Sequence, residues 1–188
     1  MAEHVCPPII GYLLLSPFRK LFENPKKLFS PFVREGMTVL EPGPAMGFFT
    51  LPLARMVGPR GRVVALEVQQ KMLDKLMKRA RRAGLQDRID PRLVVGTDLG
   101  ISDLVGQVDF AAALYVVHEV PDTAAFFREL LAALKPGGKL LVVEPKGHVS
   151  AQEFEKTLET AKNSGFASEA PPGCMQSRSA LLSKRLAA

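Results

Sequence analysis

A run of small residues separates a strand-like segment from a helix-like segment near the start of the chain. Residues 39–49 read VLEPGPAMGFF, with small side chains at Gly43, Ala45 and Gly47. Small side chains let a ligand lie against the main chain, and the first turn of a helix offers unpaired N–H groups. The run therefore predicts a site for a nucleotide-like ligand. A dinucleotide fingerprint would need glycine at position 48, where Phe48 stands, so NAD and FAD are disfavoured.

The elements that must position this run follow from the apolar pattern. From about residue 37 onward, short apolar segments alternate with helix-like segments, which predicts parallel strands joined by helical crossovers. The apolar segments are nearly continuous, as expected for strands that are covered on both faces. We predict strands at residues 37–41, 62–67, 90–95, 108–114, 139–144, 166–170 and 179–186.

Helices are predicted between these strands, at residues 46–57, 69–83 and 122–134, and from residue 150 toward residue 165. The last of these begins at a capping box formed by Ser150 and Glu153. Asn24 and Pro25 are a suitable cap and first residue for a short helix near the N-terminus. We expect residues 1–35 to form a helical appendage that packs on the sheet domain.

Composition limits the class of protein. The chain has 188 residues, of which 47% are hydrophobic and 23% are charged, as in one globular domain. No apolar run reaches the roughly 18 to 20 residues of a membrane span, and the N-terminus lacks the basic residues of a secretory signal. We therefore expect a cytoplasmic protein. Cys6 and Cys174 are too few for a disulfide scaffold and lack the paired spacing of a zinc site, so no metal is predicted.

The net charge of +6 is concentrated in residues 71–92, where eight basic side chains stand against three acidic ones. Apolar residues at helical spacing within this segment favour a solvated helix face. Binding of phosphate backbones is the alternative interpretation of the same charges.

The run of small residues resembles motif I of the class I, Rossmann-like S-adenosylmethionine-dependent methyltransferases, with Glu41 as the acidic residue at the strand end. The resemblance extends from about residue 36 to residue 166, and its parts come in the family's order. The segments VVALEV, GTDL, FAAALYVVHEVPD and LKPGGKLLVVEP are similar to the family's second, third, fourth and fifth strand regions. The loop after the fourth strand is most similar to the small-molecule branch of the family.

The resemblance implies an α/β fold with a doubly wound, mostly parallel seven-stranded sheet, its last strand antiparallel, and helices on both faces. S-adenosylmethionine would lie outside the carboxyl ends of the strands, and S-adenosylhomocysteine would be the product. Glu67 would bind the ribose hydroxyls, at about 1.5 to 3 kcal/mol for each hydrogen bond, and Asp98 would contact the adenine amino group. The cofactor-binding residues implied are Glu41, Gly43, Ala45, Gly47, Glu67, Val68, Thr97, Asp98, Leu99, Leu114 and Tyr115.

The motif departs from the family pattern at Pro42, Pro44 and Ala45. The alanine adds a methyl group where the backbone meets the cofactor, and the prolines remove N–H donors, which would weaken binding. A loop already ordered by proline loses less entropy when it binds, which would strengthen binding. The sequence leaves both outcomes open.

Methyl transfer depends mainly on the alignment of the acceptor, the methyl group and the sulfur, which can supply on the order of 7 to 11 kcal/mol. An acceptor hydroxyl or amine also needs a base to take its proton. His118 in the loop after the fourth strand is the candidate base, and it is equally suited to a structural hydrogen bond. Glu119, Glu144 and His148 are second choices.

The same loop disfavours nucleic-acid bases as acceptors, because it lacks the sequence that holds a flipped base and has no nearby cysteine nucleophile. We therefore expect a small-molecule acceptor, with Tyr12, Phe18, Phe22 and His118 as candidate substrate-binding residues. In this interpretation residues 1–35 form a possible lid, and residues 36–188 form the domain that binds S-adenosylmethionine. Two alternatives stay open: a cofactor-binding regulatory module without turnover, and an RNA methyltransferase that uses the basic segment 71–92.

Overall fold

The computed structural model describes residues 24–169 and 177–186, which form one seven-stranded sheet with helices on both faces. The strands are β1 (Thr38–Pro42), β2 (Arg62–Glu67), β3 (Ile89–Leu93), β4 (Val108–Leu114), β5 (Leu134–Glu144), β6 (Phe166–Glu169) and β7 (Arg178–Lys184). The helices are α1 (Pro25–Phe29), α2 (Thr50–Met56), α3 (Gln70–Arg82), α4 (Thr123–Ala133) and α5 (Ala151–Asn163). Their order in the chain is the predicted alternation.

The strands lie side by side in the order β3-β2-β1-β4-β5-β7-β6. Pairs from β3 through β5 are parallel, whereas β7 is antiparallel to both β5 and β6. The predicted doubly wound sheet with an antiparallel last strand is therefore confirmed. The strand order reverses between β1 and β4, and ligands of such sheets bind at the carboxyl ends beside this point.

Side chains that alternate along the central strands divide the apolar interior into two layers. Val39 and Phe110 belong to the layer that packs against α1, α2 and α3. Leu40 and Ala111, their neighbours in sequence, belong to the layer that packs against α4 and α5. Because both faces of the central strands are covered, β2 and β4 are mostly apolar between their ends, and Glu67 lies at the end of β2.

Two helices, α1 and α5, start where the sequence predicts them. The Asn24 side chain accepts a hydrogen bond from the Lys27 N–H at 3.1 Å, and Pro25 is the first residue of α1. Ser150 and Glu153 form both bonds of the predicted capping box at the start of α5. These local hydrogen bonds satisfy N–H groups that a helix cannot pair internally.

Helix α3 has the predicted amphipathic character, with Met72, Leu73, Leu76 and Ala80 buried. Several basic side chains of the segment 71–92 are engaged inside the fold. Arg92 pairs with Asp90 and Asp103, and Arg88 donates to the Ala54 carbonyl oxygen. On helix α3 itself, Lys71, Lys78, Arg81 and Arg82 are exposed, as the predicted solvated helix face requires, and phosphate binding stays the alternative interpretation.

Two predicted helix boundaries are wrong. Helix α2 begins at Thr50 and not at residue 46, because Ala45 and Gly47 have φ values of 47° and 82°, outside the right-handed helical range. Helix α4 ends at Ala133, and β5 begins at Leu134, which pairs with Val108. The segment 135–138 forms an irregularity within the span of β5, because the pairing with β4 passes from Leu134 directly to Lys139 and Gly137 has a φ of 75°.

Residues 24–33 of the predicted appendage pack on the sheet, where the Phe29 and Phe32 rings contact Phe110 at centroid distances of 6.4 and 5.5 Å. Tyr12, Phe18 and Phe22 lie outside the described residues. Within residues 24–169 and 177–186, no helix is both long enough and apolar enough to cross a bilayer.

Candidate functional site

Ionisable residues lie at, near or just beyond the ends of four neighbouring parallel strands, along one edge of the sheet. Glu41 lies near the end of β1, Glu67 ends β2 and Glu144 ends β5. The turn 117–119, which follows β4 closely, carries His118 and Glu119. The topology thus collects at one edge the side chains that the sequence distributes over more than a hundred residues.

The small-residue loop after β1 owes its glycines to internal packing. A side chain at Gly43 would place Cβ 2.7 Å from Cγ2 of Val116, and one at Gly47 would meet Cδ1 of Leu76. Both glycines have positive φ, at 70° and 82°. Because these glycines have no side chain, Val116 and Leu76 can pack directly against the backbone of the loop. The same lack of side chains would let a ligand approach the backbone.

Arg79 of α3 supports the same loop, because its guanidinium donates a hydrogen bond to the Met46 carbonyl oxygen. Partial burial of this guanidinium lowers its pKa from the ordinary value. Sequence reasoning placed Arg79 only among the charges of the basic segment. No local signal separates it from its neighbours, because its partner lies 33 positions away.

Glu67 connects the end of β2 to the loop after β1. Its Oε1 accepts hydrogen bonds from the N–H groups of Val68 and Gln69 at 2.9 and 3.1 Å, and its Oε2 accepts from the Ala45 N–H at 3.1 Å. The residue is 7% exposed. Burial raises the pKa of the carboxyl, the three backbone bonds lower it, and nearby Glu119 raises it.

Glu41 is more deeply buried, and its Oε2 has no hydrogen-bond partner among the described residues. Burial raises the pKa of the Glu41 carboxyl to about 8, the Thr50 hydroxyl lowers it in part, and Glu67 raises it further. Such a carboxyl is neutral at neutral pH until a cation reaches it.

The segment after β3 approaches this edge through its backbone. The Val94 N–H donates to the Glu67 carbonyl oxygen at 2.9 Å. Thr97 and Asp98 are exposed, and the Asp98 carboxylate accepts from the Gly100 N–H. The Leu99 N–H donates to Glu129 at 3.0 Å. Contact of these three residues with a cofactor stays a prediction.

Two exposed valines lie close to Glu67. One is next to it in the chain, and the other follows Val94, whose N–H donates to the Glu67 carbonyl oxygen. Val68 follows Glu67 directly and is 55% exposed, and Val95 follows Val94 and is 79% exposed. Sequence reasoning identified Val68 and missed Val95, which looks in the sequence like the last residue of an ordinary strand. That Val95 lies outside the sheet becomes clear only from the structure, in which β3 ends at Leu93.

Leu114 and Tyr115 lie where β4 leaves the sheet. Leu114 is buried, whereas Tyr115 is partly exposed and has a φ of 59°, which is rare for a bulky residue. The Tyr115 hydroxyl lies 3.1 Å from Oγ of Ser177, and its ring stacks on Phe49 at 6.3 Å. Backbone strain of this kind clusters at functional sites. Ser177 was not identified from the sequence.

His118 and Glu144 form a hydrogen-bonded pair, with Nδ1 of His118 2.5 Å from Oε2 of Glu144. Oε1 of Glu144 accepts from the Val117 and His118 N–H groups at 2.8 and 3.3 Å. The bond to Glu144 raises the pKa of His118, while burial lowers it. With both oxygens engaged, Glu144 orients His118 and is not placed as a second base.

Glu119 and His148, the other two second choices for the base, have different surroundings. Glu119 is partly buried, which raises its pKa, and its Oε1 lies 3.9 Å from Nε2 of His118. His148 is exposed, and its ring centroid lies 6.4 Å from that of His118. No three His, Cys, Asp or Glu side chains converge as metal ligands in the part of the chain that the structure describes.

This sheet order, with a glycine-containing loop after β1 and acidic residues at the strand ends, defines the class I, Rossmann-like methyltransferase fold. Residues 40–142, more than half of the chain, match the family described as "Methyltransferase domain". The chain belongs to this family.

Individual relatives agree with the family. The chain is 32% identical over 120 residues to a demethylmenaquinone methyltransferase from Lactobacillus johnsonii, covering 63% of this chain and 48% of that protein. It is 31% identical over 112 residues to a ubiquinone/menaquinone biosynthesis C-methyltransferase from Enterobacter sp., covering 60% and 44%. The chain thus matches about half the length of these relatives. A crystal structure of a SAM-dependent methyltransferase from Aquifex aeolicus has the same fold, with a TM-score of 0.81, 23% identity and coverage of 95% and 98%.

Replacement of Ala45 by glycine should stabilise the protein. Ala45 has a φ of 47°, a left-handed conformation that costs an alanine about 1 to 2 kcal/mol and a glycine almost nothing. After the greater chain entropy of unfolded glycine is subtracted, Ala45→Gly should raise the free energy of unfolding by about 0.5 to 1 kcal/mol. Chemical denaturation measures this change.

The matched control is Ala132→Gly, which makes the same replacement at an exposed position of helix α4. This variant should lose about 1 kcal/mol. Two variants that change stability in the same direction would contradict the assigned strain at Ala45.

Replacement of Glu41 by glutamine should change how stability depends on pH. The folded-state pKa of about 8 lies above the unfolded value of 4.5, so the folded protein holds a proton that the unfolded chain releases. The free energy of unfolding of the wild type should fall relative to Glu41→Gln as pH rises from 4.5 to 8, by about 3 to 5 kcal/mol in total. Denaturation at several pH values measures the difference, and parallel curves would show that Glu41 is ionised in the folded protein.

Proposed function

We propose that this protein is an S-adenosylmethionine-dependent methyltransferase that acts on a small-molecule acceptor. The observation that carries the proposal is the pair of buried carboxyl groups, Glu41 and Glu67, beside the glycine-containing loop at the carboxyl edge of the sheet. Membership of the methyltransferase domain family supports the same function.

The residues around Glu67 fit an adenosine. A carboxylate has about four acceptor positions, and three backbone N–H groups occupy three of them here. One ribose hydroxyl can take the remaining position, and a second can replace the Ala45 N–H. Val68 and Val95 offer exposed apolar surface for the flat faces of adenine.

The residues around Glu41 fit the positively charged end of the same molecule. A buried oxygen without a partner is costly to leave unsatisfied, and an ammonium group supplies three donors. The acids that line the edge of the sheet also favour a ligand that carries positive charge. We therefore assign the methionine part to the β1 end of the site and the ribose to the β2 end.

When bound, S-adenosylmethionine supplies an electrophilic methyl group that passes to the acceptor as the carbon–sulfur bond breaks and its electron pair stays on sulfur. The chain's own contribution is to hold the two reactants in line and to exclude water. We assign to His118, in the turn after β4, the role of accepting a proton from the acceptor at Nε2. Tyr115, fixed by its strained backbone, would form part of the wall between the cofactor and the acceptor.

The acceptor is proposed to be a small molecule because the relatives named above are methyltransferases of menaquinone and ubiquinone synthesis. Arg88 and Arg92 of the basic segment make hydrogen bonds within the protein, which leaves fewer of its charges for an RNA acceptor.

Calorimetry should detect saturable binding of S-adenosylmethionine and of S-adenosylhomocysteine. Glu67→Gln should weaken both about 10- to 100-fold, because a charge-assisted hydrogen bond to the ribose is worth about 1.5 to 3 kcal/mol. Glu155→Gln, on the exposed face of α5, makes the same replacement away from the site and should bind like the wild type. Absence of binding at millimolar ligand would exclude the proposed function.

Turnover is tested separately, by incubation with methyl-labelled cofactor and fractionated small molecules from a cell extract. Transfer of label to a small molecule supports an enzyme. Tight cofactor binding with no labelled product in any fraction would instead identify a regulatory module.

Cofactor binding should also release protons at pH 7. Burial keeps Glu41 protonated in the free protein, and an adjacent ammonium group favours its ionised form. Titration calorimetry in buffers of different ionisation enthalpy should give a net release approaching one proton, which Glu41→Gln should abolish. An equal release from the wild type and the variant would assign the proton to another group.

A further inference from the structure

Glu144 is a buried carboxylate with several hydrogen bonds to one short turn. Its side chain is 2% exposed at the end of β5. Oε1 accepts from the backbone N–H groups of Val117 and His118, and Oε2 lies 2.5 Å from Nδ1 of the His118 ring. One side chain therefore holds both the backbone of the turn 117–119 and the orientation of its imidazole.

This arrangement determines which ring nitrogen carries the hydrogen. An ionised carboxylate can only accept hydrogen bonds, so the hydrogen of neutral His118 must lie on Nδ1. Nε2 then has a lone pair. In the described residues, the ionisable groups around the ring are Glu144 at Nδ1, Glu119 with Oε1 3.9 Å from Nε2, and His148 beside the ring.

Nε2 is within reach of a ligand at the carboxyl edge of the sheet. The His118 side chain is 29% exposed, although Nδ1 is bonded to a buried group. Glu119 is close enough to Glu67 to raise the pKa of that carboxyl. The turn that carries His118 follows β4, the strand next to β1, so the ring lies at the same edge of the sheet as Glu41 and Glu67.

Resting on the proposed methyltransferase function, we propose that Glu144 is a positioning residue that holds His118 in the tautomer whose Nε2 takes a proton from the acceptor. In that step the acceptor would form a bond to the methyl carbon while the bond from that carbon to sulfur breaks and its electron pair stays on sulfur. The acceptor's proton would pass to Nε2 and later to water. The charge on Glu144 stabilises the imidazolium that results. The site is then built for an acceptor that loses a proton, such as a hydroxyl or an enolisable carbon, and not for a thioether or a tertiary amine.

A purely structural role for Glu144 would be to cap the turn through the Val117 and His118 N–H groups. Glu144→Gln separates the two roles. The amide oxygen can still accept from the backbone, whereas the amide NH₂ facing Nδ1 can only donate. The variant should therefore keep the turn and move the ring hydrogen from Nδ1 to Nε2.

The experiment is long-range ¹H–¹⁵N NMR of the protein labelled in its three histidines, recorded across a pH titration. His118→Asn and His148→Asn assign the signals. We expect Nδ1 of His118 to be protonated above its pKa in the wild type, with Nε2 taking up the proton as pH falls. In Glu144→Gln, we expect Nε2 to carry the hydrogen in the neutral ring and the pKa of His118 to fall.

Glu119→Gln is the matched control, because it removes one negative charge near the ring without touching Nδ1. It should lower the pKa of His118 and leave the tautomer unchanged. A wild-type ring with its hydrogen on Nε2, or an unchanged tautomer in Glu144→Gln with a native amide spectrum, would overturn the proposal. If Glu144→Gln does not fold, the tautomer of His118 in the wild-type protein still tests the proposal.

This result is independent of the cofactor. The tautomer is measured on the protein alone, whereas the proposed function depends on binding of S-adenosylmethionine. Labelled turnover tests the acceptor class: a product methylated at a thioether sulfur or a tertiary nitrogen would contradict that class while leaving the methyltransferase function intact.

Discussion

The hydrogen bonds of the Glu67 carboxylate hold the site together. Because this side chain accepts from the backbone of Ala45 on one side and of Val68 and Gln69 on the other, it connects the loops that follow β1 and β2. Burying a carboxylate is unfavourable unless hydrogen bonds compensate, and here they come from N–H groups that the loop geometry leaves unpaired. The loop conformation, including the left-handed Ala45, thus depends on the same carboxylate that is proposed to bind the ribose.

The edge of the sheet concentrates acidic groups with different surroundings. Glu41 is buried with one oxygen unpartnered, Glu67 is buried with three donors, and Glu144 is buried against His118. We therefore expect three different roles. Glu41 is a neutral acid that ionises when a cation binds, Glu67 accepts hydrogen bonds from hydroxyls, and Glu144 is an anion that orients a base. Their proximity also means that the charge state of each influences its neighbours, as the pKa effects of Glu67 on Glu41 and of Glu119 on Glu67 indicate.

Packing explains the two glycines of the loop after β1 and the presence of alanine at position 45. Val116 and Leu76 occupy the space that side chains at Gly43 and Gly47 would need, so these two positions are restricted by packing and by positive φ. Ala45 tolerates a methyl group because its own surroundings leave it partly exposed. The contribution of Ala45 to the site is its backbone N–H, which donates a hydrogen bond to Glu67.

Local patterns in the sequence determined much of this protein. Apolar runs predicted the first five strands, with β2 and β4 at their observed bounds, because strands that are buried on both faces must be apolar. The capping box at Ser150 and the glycines after β1 were likewise visible, because they depend on neighbours in the chain.

Only the tertiary structure decided that α2 starts at Thr50, that Arg79 supports the loop and that Glu144 binds Nδ1 of His118. Glu144 and His118 are 26 positions apart, and nothing local requires them to meet. Their contact exists because β4 and β5 lie side by side in one register, and that pairing is a property of the whole sheet.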